Sequence, residues 1–133
     1  MTVVFDSGVL ISALHFGGTP LAALSAASDH ASLAHCNEID NEVRKALAGK
    51  FKWHPANIEQ AMRIVTGAAQ LIEISGNLIG VCRDPKDDMV LECALQAAAQ
   101  YIVSGDRDLL VLGEYAGIAI VTPRSFLNIV GEK

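Results

Sequence analysis

A helical stretch that runs straight into a wholly apolar strand leaves a chain few folds to adopt. The segment from Arg83 to Leu110, RDPKDDMVLECALQAAAQYIVSGDRDLL, is such a unit. Val90, Cys93, Ala94 and Ala97 recur at the i, i+3, i+4, i+7 spacing of one buried helix face. Tyr101-Ile102-Val103 is a short run of strand formers, and Ser104-Gly105 turns the chain after it. A strand without polar alternation is covered on both faces, which points to a parallel sheet between helices. Acids bracket the unit: Asp84, Asp87 and Asp88 at the helix entrance, Asp106 and Asp108 beyond the strand. Each has a purely structural reading. Asp87 reads as the helix cap, Asp88 as a charge on the positive end of the dipole, and Asp106 and Asp108 as turn residues. Carboxylates where a parallel strand ends are also well placed to share a cation.

The rest of the chain repeats the alternation. Thr2-Val3-Val4-Phe5 is a continuously apolar strand ending at Asp6-Ser7-Gly8, with a further apolar segment from Val9. Asp6 therefore stands directly after a central strand, as a ligand, a nucleophile or a cap. Gly17-Gly18 breaks the chain, and Thr19 with Pro20 reads as the cap and first turn of a second helix. Ala31 to His35 is a short strand. Asn37 is expected to cap a helix whose stripe is Ile39, Val43, Ala46 and Leu47. Asp40 and Glu42 lie at opposite edges of that stripe, so periodicity does not choose between them as a cleft residue. Gly49 to Trp53 is a loop, Pro55 opens a helix, and Leu71 to Ile74 is a third strand. Ile118 to Val121 is a fifth, and Thr122-Pro123 starts a closing helix over residues 124–130. Alternating strands and helices give an α/β class with a central parallel sheet of about five strands.

Composition narrows the function classes. With 133 residues, 51% apolar and 19% charged, the chain suits one folded domain and excludes a disordered one. It has no apolar run long enough to span a membrane, and Asp6 interrupts the first apolar run, against a signal peptide. Cys36, Cys82 and Cys93 are odd in number and widely spaced, as expected of unpaired thiols in a reducing cytoplasm. A net charge of −5 argues against a module that binds nucleic acid by charge alone. His15, His30, His35 and His54 show no metal or catalytic spacing, and Trp53 reads as a loop anchor. In a doubly wound sheet Asp6 and Asp106 are neighbours, and the helix before the fourth strand delivers Asp88 to them. Three such carboxylates repel unless a divalent ion neutralises them, and an all-oxygen set favours Mg²⁺ or Mn²⁺.

These segments in this order, VVFDSGVLISAL, an acid in the second helical region, RDPKDDMVLECAL, YIVSGDRDLL and IVTPRSFL, resemble the PIN-domain nucleases. The likeness covers nearly the whole chain and is closest to bacterial toxin components of toxin–antitoxin pairs, related to the VapC-type ribonucleases. It implies a three-layer α/β/α fold with an acidic pocket at the carboxyl edge of the sheet. By position, Asp6 matches the family's first acid, Glu42 its second, Asp88 its third and Asp106 its fourth, with Asp108 a further one. The implied metal ligands are Asp6, Asp88, Asp106 and Asp108, with Ser7 and Ser104 in support, and Asp87 is the rival of Asp88. Arg83, Lys86 and Arg107 are placed to meet flanking phosphates. The implied activity is Mg²⁺- or Mn²⁺-dependent endonucleolytic cleavage of RNA, with a cognate antitoxin and a homodimer as partners.

One departure stands out. The family usually carries Asn or Ser two positions after its first acid, where this chain has Gly8; a glycine would loosen the loop that aims Asp6. An inactive PIN-type domain that binds RNA or protein is therefore the alternative. A receiver domain would want paired acids after the first strand, and a haloacid-dehalogenase phosphatase a second Asp at position 8.

Overall fold

The computed structural model describes residues 1–131. Strand β1 (Thr2–Phe5) lies in the interior of a six-stranded sheet, β3-β2-β1-β4-β6-β5, with β2 (Ser32–His35), β3 (Gln70–Leu71), β4 (Tyr101–Val103), β5 (Glu114–Tyr115) and β6 (Ile118–Val121). Every pairing is parallel except that of β5 with β6. Val3, Val4 and Phe5 are all buried. Successive strand residues point to opposite faces, so helices cover the sheet on both sides and the architecture is three-layered.

The helices are α1 (Ser7–His15), α2 (Gly18–His30), α3 (Asn37–Gly49), α4 (Pro55–Thr66), α5 (Pro85–Gln96), α6 (Arg107–Leu112) and α7 (Pro123–Ile129). α5 packs on β1, β2 and β4, while α2 packs on α1 and α7. The chain leaves β1 toward β2 on one side and returns to β4 on the other. Their adjoining carboxyl ends thus form a topological switch point, the usual crevice of an open α/β sheet. No single helix among the described residues is long and apolar enough to cross a membrane.

Several boundaries differ from the sequence reading, each for a local reason. The cap of α5 is Asp84, which accepts from the Lys86 backbone N–H at 2.9 Å, with Pro85 at the first helical position. Asp87 is therefore inside the first turn and is not the cap. α2 begins at Gly18, one residue before Thr19. Gly17 takes the cap position at φ 76°, a conformation that glycine adopts readily, so Thr19 is already helical. α3 begins at Asn37 itself, with Cys36 in extended conformation before it. The third strand is shorter than expected and pairs only beside Ala34 and His35. A strand beyond the five expected, β5, turns through Ala116 and Gly117, both at positive φ, to form a hairpin with β6. Trp53 does anchor its loop: its backbone N–H donates to the Leu47 carbonyl at 2.8 Å and its indole N–H to His15 Nδ1 at 3.0 Å.

Candidate active site

A cleft of about 470 Å³ opens at the switch point, lined by Asp6, Ser7, Gly8, Glu42, Asp84, Lys86, Asp87 and Asp106 among others. Its floor follows from strand register. Phe5 stands opposite Val103, and the Asp6 backbone N–H continues the ladder to the Val103 carbonyl at 3.1 Å. Asp6 and Ser104 are thus forced side by side. Asp6 caps α1, its Oδ1 accepting from the Val9 N–H at 2.8 Å, while its Oδ2 accepts the Ser104 hydroxyl. Ser104, wholly buried, in turn accepts the Asp106 N–H at 2.9 Å. One hydroxyl therefore joins the acid after β1 to the acid after β4. Asp106 caps α6 through the N–H groups of Asp108 and Leu109.

Asp88, the residue assigned by sequence to the third acidic position, does not face this cleft. Its Oδ2 accepts from the Gly80 N–H at 2.9 Å and its Oδ1 from the Cys82 N–H at 2.8 Å, so it pins the segment that precedes α5. Glu92, one turn further on the same helix face, holds the N–H groups of Ser75, Gly76 and Leu78 at 2.6–3.2 Å. The place in the cleft belongs to Asp87. A signal for this lay in the sequence: the stripe of Val90, Ala94 and Ala97, extended three residues back, reaches Asp87 and misses Asp88. The stripe sits on the sheet, so its first member arrives at the sheet's carboxyl edge.

Asp87 is also where the electrostatic tension concentrates. It is buried, and its Oδ2 has no hydrogen-bond partner. Burial, followed by the nearby charges of Asp106, Asp84, Asp6 and Asp108, pushes its pKa up to about 7. Asp6 is raised as well, first by burial and then by Asp106 and Glu42, against the opposing pull of its Ser104 and Val9 hydrogen bonds. One carboxylate oxygen each from Asp87, Asp106 and Asp108 lie within 4.8 Å of one another. The donor set is all oxygen, one buried acceptor is unused, and the ionised forms repel. Those properties fit a hard divalent cation.

The remaining residues singled out by sequence lie as follows. Glu42 lines the cleft from α3, with Lys86 Nζ 3.3 Å from its Oε2. Asp40 turns inward, buried, its Oδ2 2.7 Å from His35 Nδ1. Asp108 is held by Arg83, whose Nη2 lies 2.6 Å from its Oδ1. Arg107 is exposed at the start of α6. Ser7 and Gly8 are not in a loop but in the first turn of α1, so the Asp6 cap fixes the backbone whose freedom glycine was expected to increase. Cys36, Cys82 and Cys93 form no disulfide, and burial with the neighbouring Asp88 and Asp87 raises the Cys82 thiol to about 11.

Comparison with known proteins agrees with this fold. The sequence profile of a family described as PIN domain matches residues 2–108. No curated protein matches the chain. Among solved structures, the VapBC2 complex of Rickettsia felis, bound to a DNA fragment from its promoter, is similar with a TM-score of 0.66 at 12% identity; the match covers 90% of this chain and 97% of that one. VapC20 of Mycobacterium tuberculosis, a Sarcin-Ricin loop cleaving toxin, is similar with a TM-score of 0.65 at 12% identity, covering 88% and 98%. At such identities the likeness is one of fold.

Proposed function

The chain belongs to the PIN-domain family, and from that premise we propose that it is a Mg²⁺- or Mn²⁺-dependent endoribonuclease, the toxin of a toxin–antitoxin pair. The observation that carries this reading is the buried, unpartnered Asp87 Oδ2, set among Asp6, Asp106 and Asp108 at the switch point. Asp87, Asp106 and Asp108 are the residues proposed to hold the cation, with Asp6 beside them. A bound divalent ion supplies the positive charge that polarises a phosphodiester and acidifies a water. The protein's own part is placement. Ser104 fixes Asp6 and Asp106 relative to one another, so neither carboxylate has to be organised when substrate arrives. Glu42, which lines the same cleft, is proposed to take a proton from the attacking water on its Oε atoms. Arg107, exposed beside the acids, is proposed to meet a flanking phosphate.

The RNA substrate, a cognate antitoxin protein, a homodimer and a cytoplasmic setting are parts of the same proposal. The antitoxin and RNA parts draw support from the fold shared with the VapBC2 complex and with VapC20, a Sarcin-Ricin loop cleaving toxin. The test is cleavage of mixed RNA with Mn²⁺ by wild type, Asp6→Asn and Asp106→Asn. A loss of at least about a hundredfold in each variant is expected, the scale of removing a preorganised catalytic charge. Equal cleavage by all three would end the nuclease reading.

A further inference from the structure

We infer that Arg83 and Lys86 are exchangeable counter-ions: they neutralise one carboxylate beside the cleft and one within it, and turn to RNA phosphates once a divalent cation takes up the acids. The inference rests on the nuclease reading above and adds a coupling between metal and substrate binding. The two cations flank the Asp84-Pro85 turn that starts α5, and from that one turn they reach acids on two different helices. Arg83 holds Asp108 on α6 at 2.6 Å, and Lys86 holds Glu42 on α3 at 3.3 Å. Both side chains are nonetheless largely in solvent, at 86% and 65% exposure.

An ion pair with so exposed a cation is weak and costs little to break. Asp108 is moreover one of the three acids whose oxygens converge, so a cation drawn to that triplet competes directly with Arg83. The protein as a whole carries a net charge of −5 and offers RNA no general attraction. Five carboxylates line the cleft, those of Asp6, Glu42, Asp84, Asp87 and Asp106, and Asp108 converges on two of them from beside it. While Arg83 and Lys86 are committed to two of these, the rim has little charge to spare for phosphate. Released from them, both side chains are largely in solvent next to the acids and free to meet a phosphate brought to the site. RNA affinity is then conditional on metal, which keeps the apo protein from holding substrate it cannot cut.

Mn²⁺ titration by calorimetry, paired with binding of a non-cleavable 2′-O-methyl RNA oligonucleotide, tests this with wild type, Arg83→Gln and Lys86→Gln. Arg83→Gln is expected to bind Mn²⁺ about two- to fivefold more tightly, the range of an exposed ion pair no longer competing. With Mn²⁺ present, each variant is expected to bind the oligonucleotide more weakly, with a salt dependence shallower by about one. Without Mn²⁺, the three proteins should bind it alike. Unchanged or weaker Mn²⁺ binding by Arg83→Gln, or equal salt dependences in Mn²⁺, would overturn the exchange while leaving the nuclease reading intact. Failure of wild type to bind Mn²⁺ at all would overturn both.

Discussion

Replacing Asp87 and Asp88 one at a time by Asn should move stability in opposite directions, although the two residues are neighbours of the same type. Asp87 is a buried carboxyl raised from 3.8 to about 7. Above pH 7 the folded protein must keep it ionised among other acids, a cost of up to about 4 kcal/mol at roughly 1.4 kcal/mol per pKa unit. Asn keeps the shape and removes the charge. It leaves one amide without a partner, worth about 1 kcal/mol or more against the gain. The net expectation for Asp87→Asn at pH 8 in EDTA is a stabilisation of about 1–3 kcal/mol, or several degrees in melting temperature for a chain of this size.

The sign with pH follows from a folded pKa above the unfolded one. The penalty is absent below about pH 4, grows as pH rises toward 7 and is complete above it, so the variant's advantage should fade on acidification. Asp88→Asn should do the reverse. Both its oxygens accept backbone N–H groups, from Gly80 and Cys82. An amide nitrogen facing one of them leaves it unsatisfied, at about 1–3 kcal/mol of lost stability. Thermal unfolding of the three proteins from pH 4.5 to 8 in EDTA is the assay. A destabilised Asp87→Asn at pH 8, or a stabilised Asp88→Asn, would refute the assignment of the two carboxylates.

Other expectations follow from the same contacts. Glu92→Gln should lose about 1–3 kcal/mol at neutral pH, measured by urea unfolding, because Glu92 holds three backbone N–H groups and the Ser75 hydroxyl. Burial opposes its ionised form, but those hydrogen bonds prevail and hold the carboxyl below its ordinary 4.5. Wild type should therefore lose this increment as pH falls below about 4.5, and the variant should not. Gly8→Ala should raise the melting temperature by a few degrees and leave Mn²⁺ affinity unchanged. The new Cβ would meet only Asp6 Oδ1, at an ordinary 3.7 Å, and alanine is favoured over glycine within a helix by up to about 1 kcal/mol. A drop in melting temperature would show that the first turn of α1 needs glycine.

Much of the fold was legible because its signals are local and repeated. Val3 to Phe5, Tyr101–Val103 and Ile118–Val121 are runs without a charged or alternating polar residue, as a strand covered on both faces needs. Asp6 and Asp106 followed from the same logic, since each lies within three residues of a parallel strand's end. What remained hidden depended on choices between neighbours. Asp84, Asp87 and Asp88 all suit a helix entrance; Pro85 at the first helical position makes Asp84 the cap, and the rotation of α5 on the sheet, fixed by Val90 and Ala94, brings Asp87 to the cleft and turns Asp88 away. The short β5 carries too few residues to show alternation and exists through its pairing with β6. Asp40 and Glu42 were equally ambiguous until α3 was seated, which buries the first against His35 and leaves the second on the cleft.

Crystals soaked in Mn²⁺ and measured at the manganese absorption edge would locate the cation directly. An anomalous peak within coordination distance of Asp87 and Asp106, with none beside Asp88, is the expected result. A peak at Asp88, or no ordered manganese at the carboxyl ends of β1 and β4, would contradict a cation-holding cleft built from these acids.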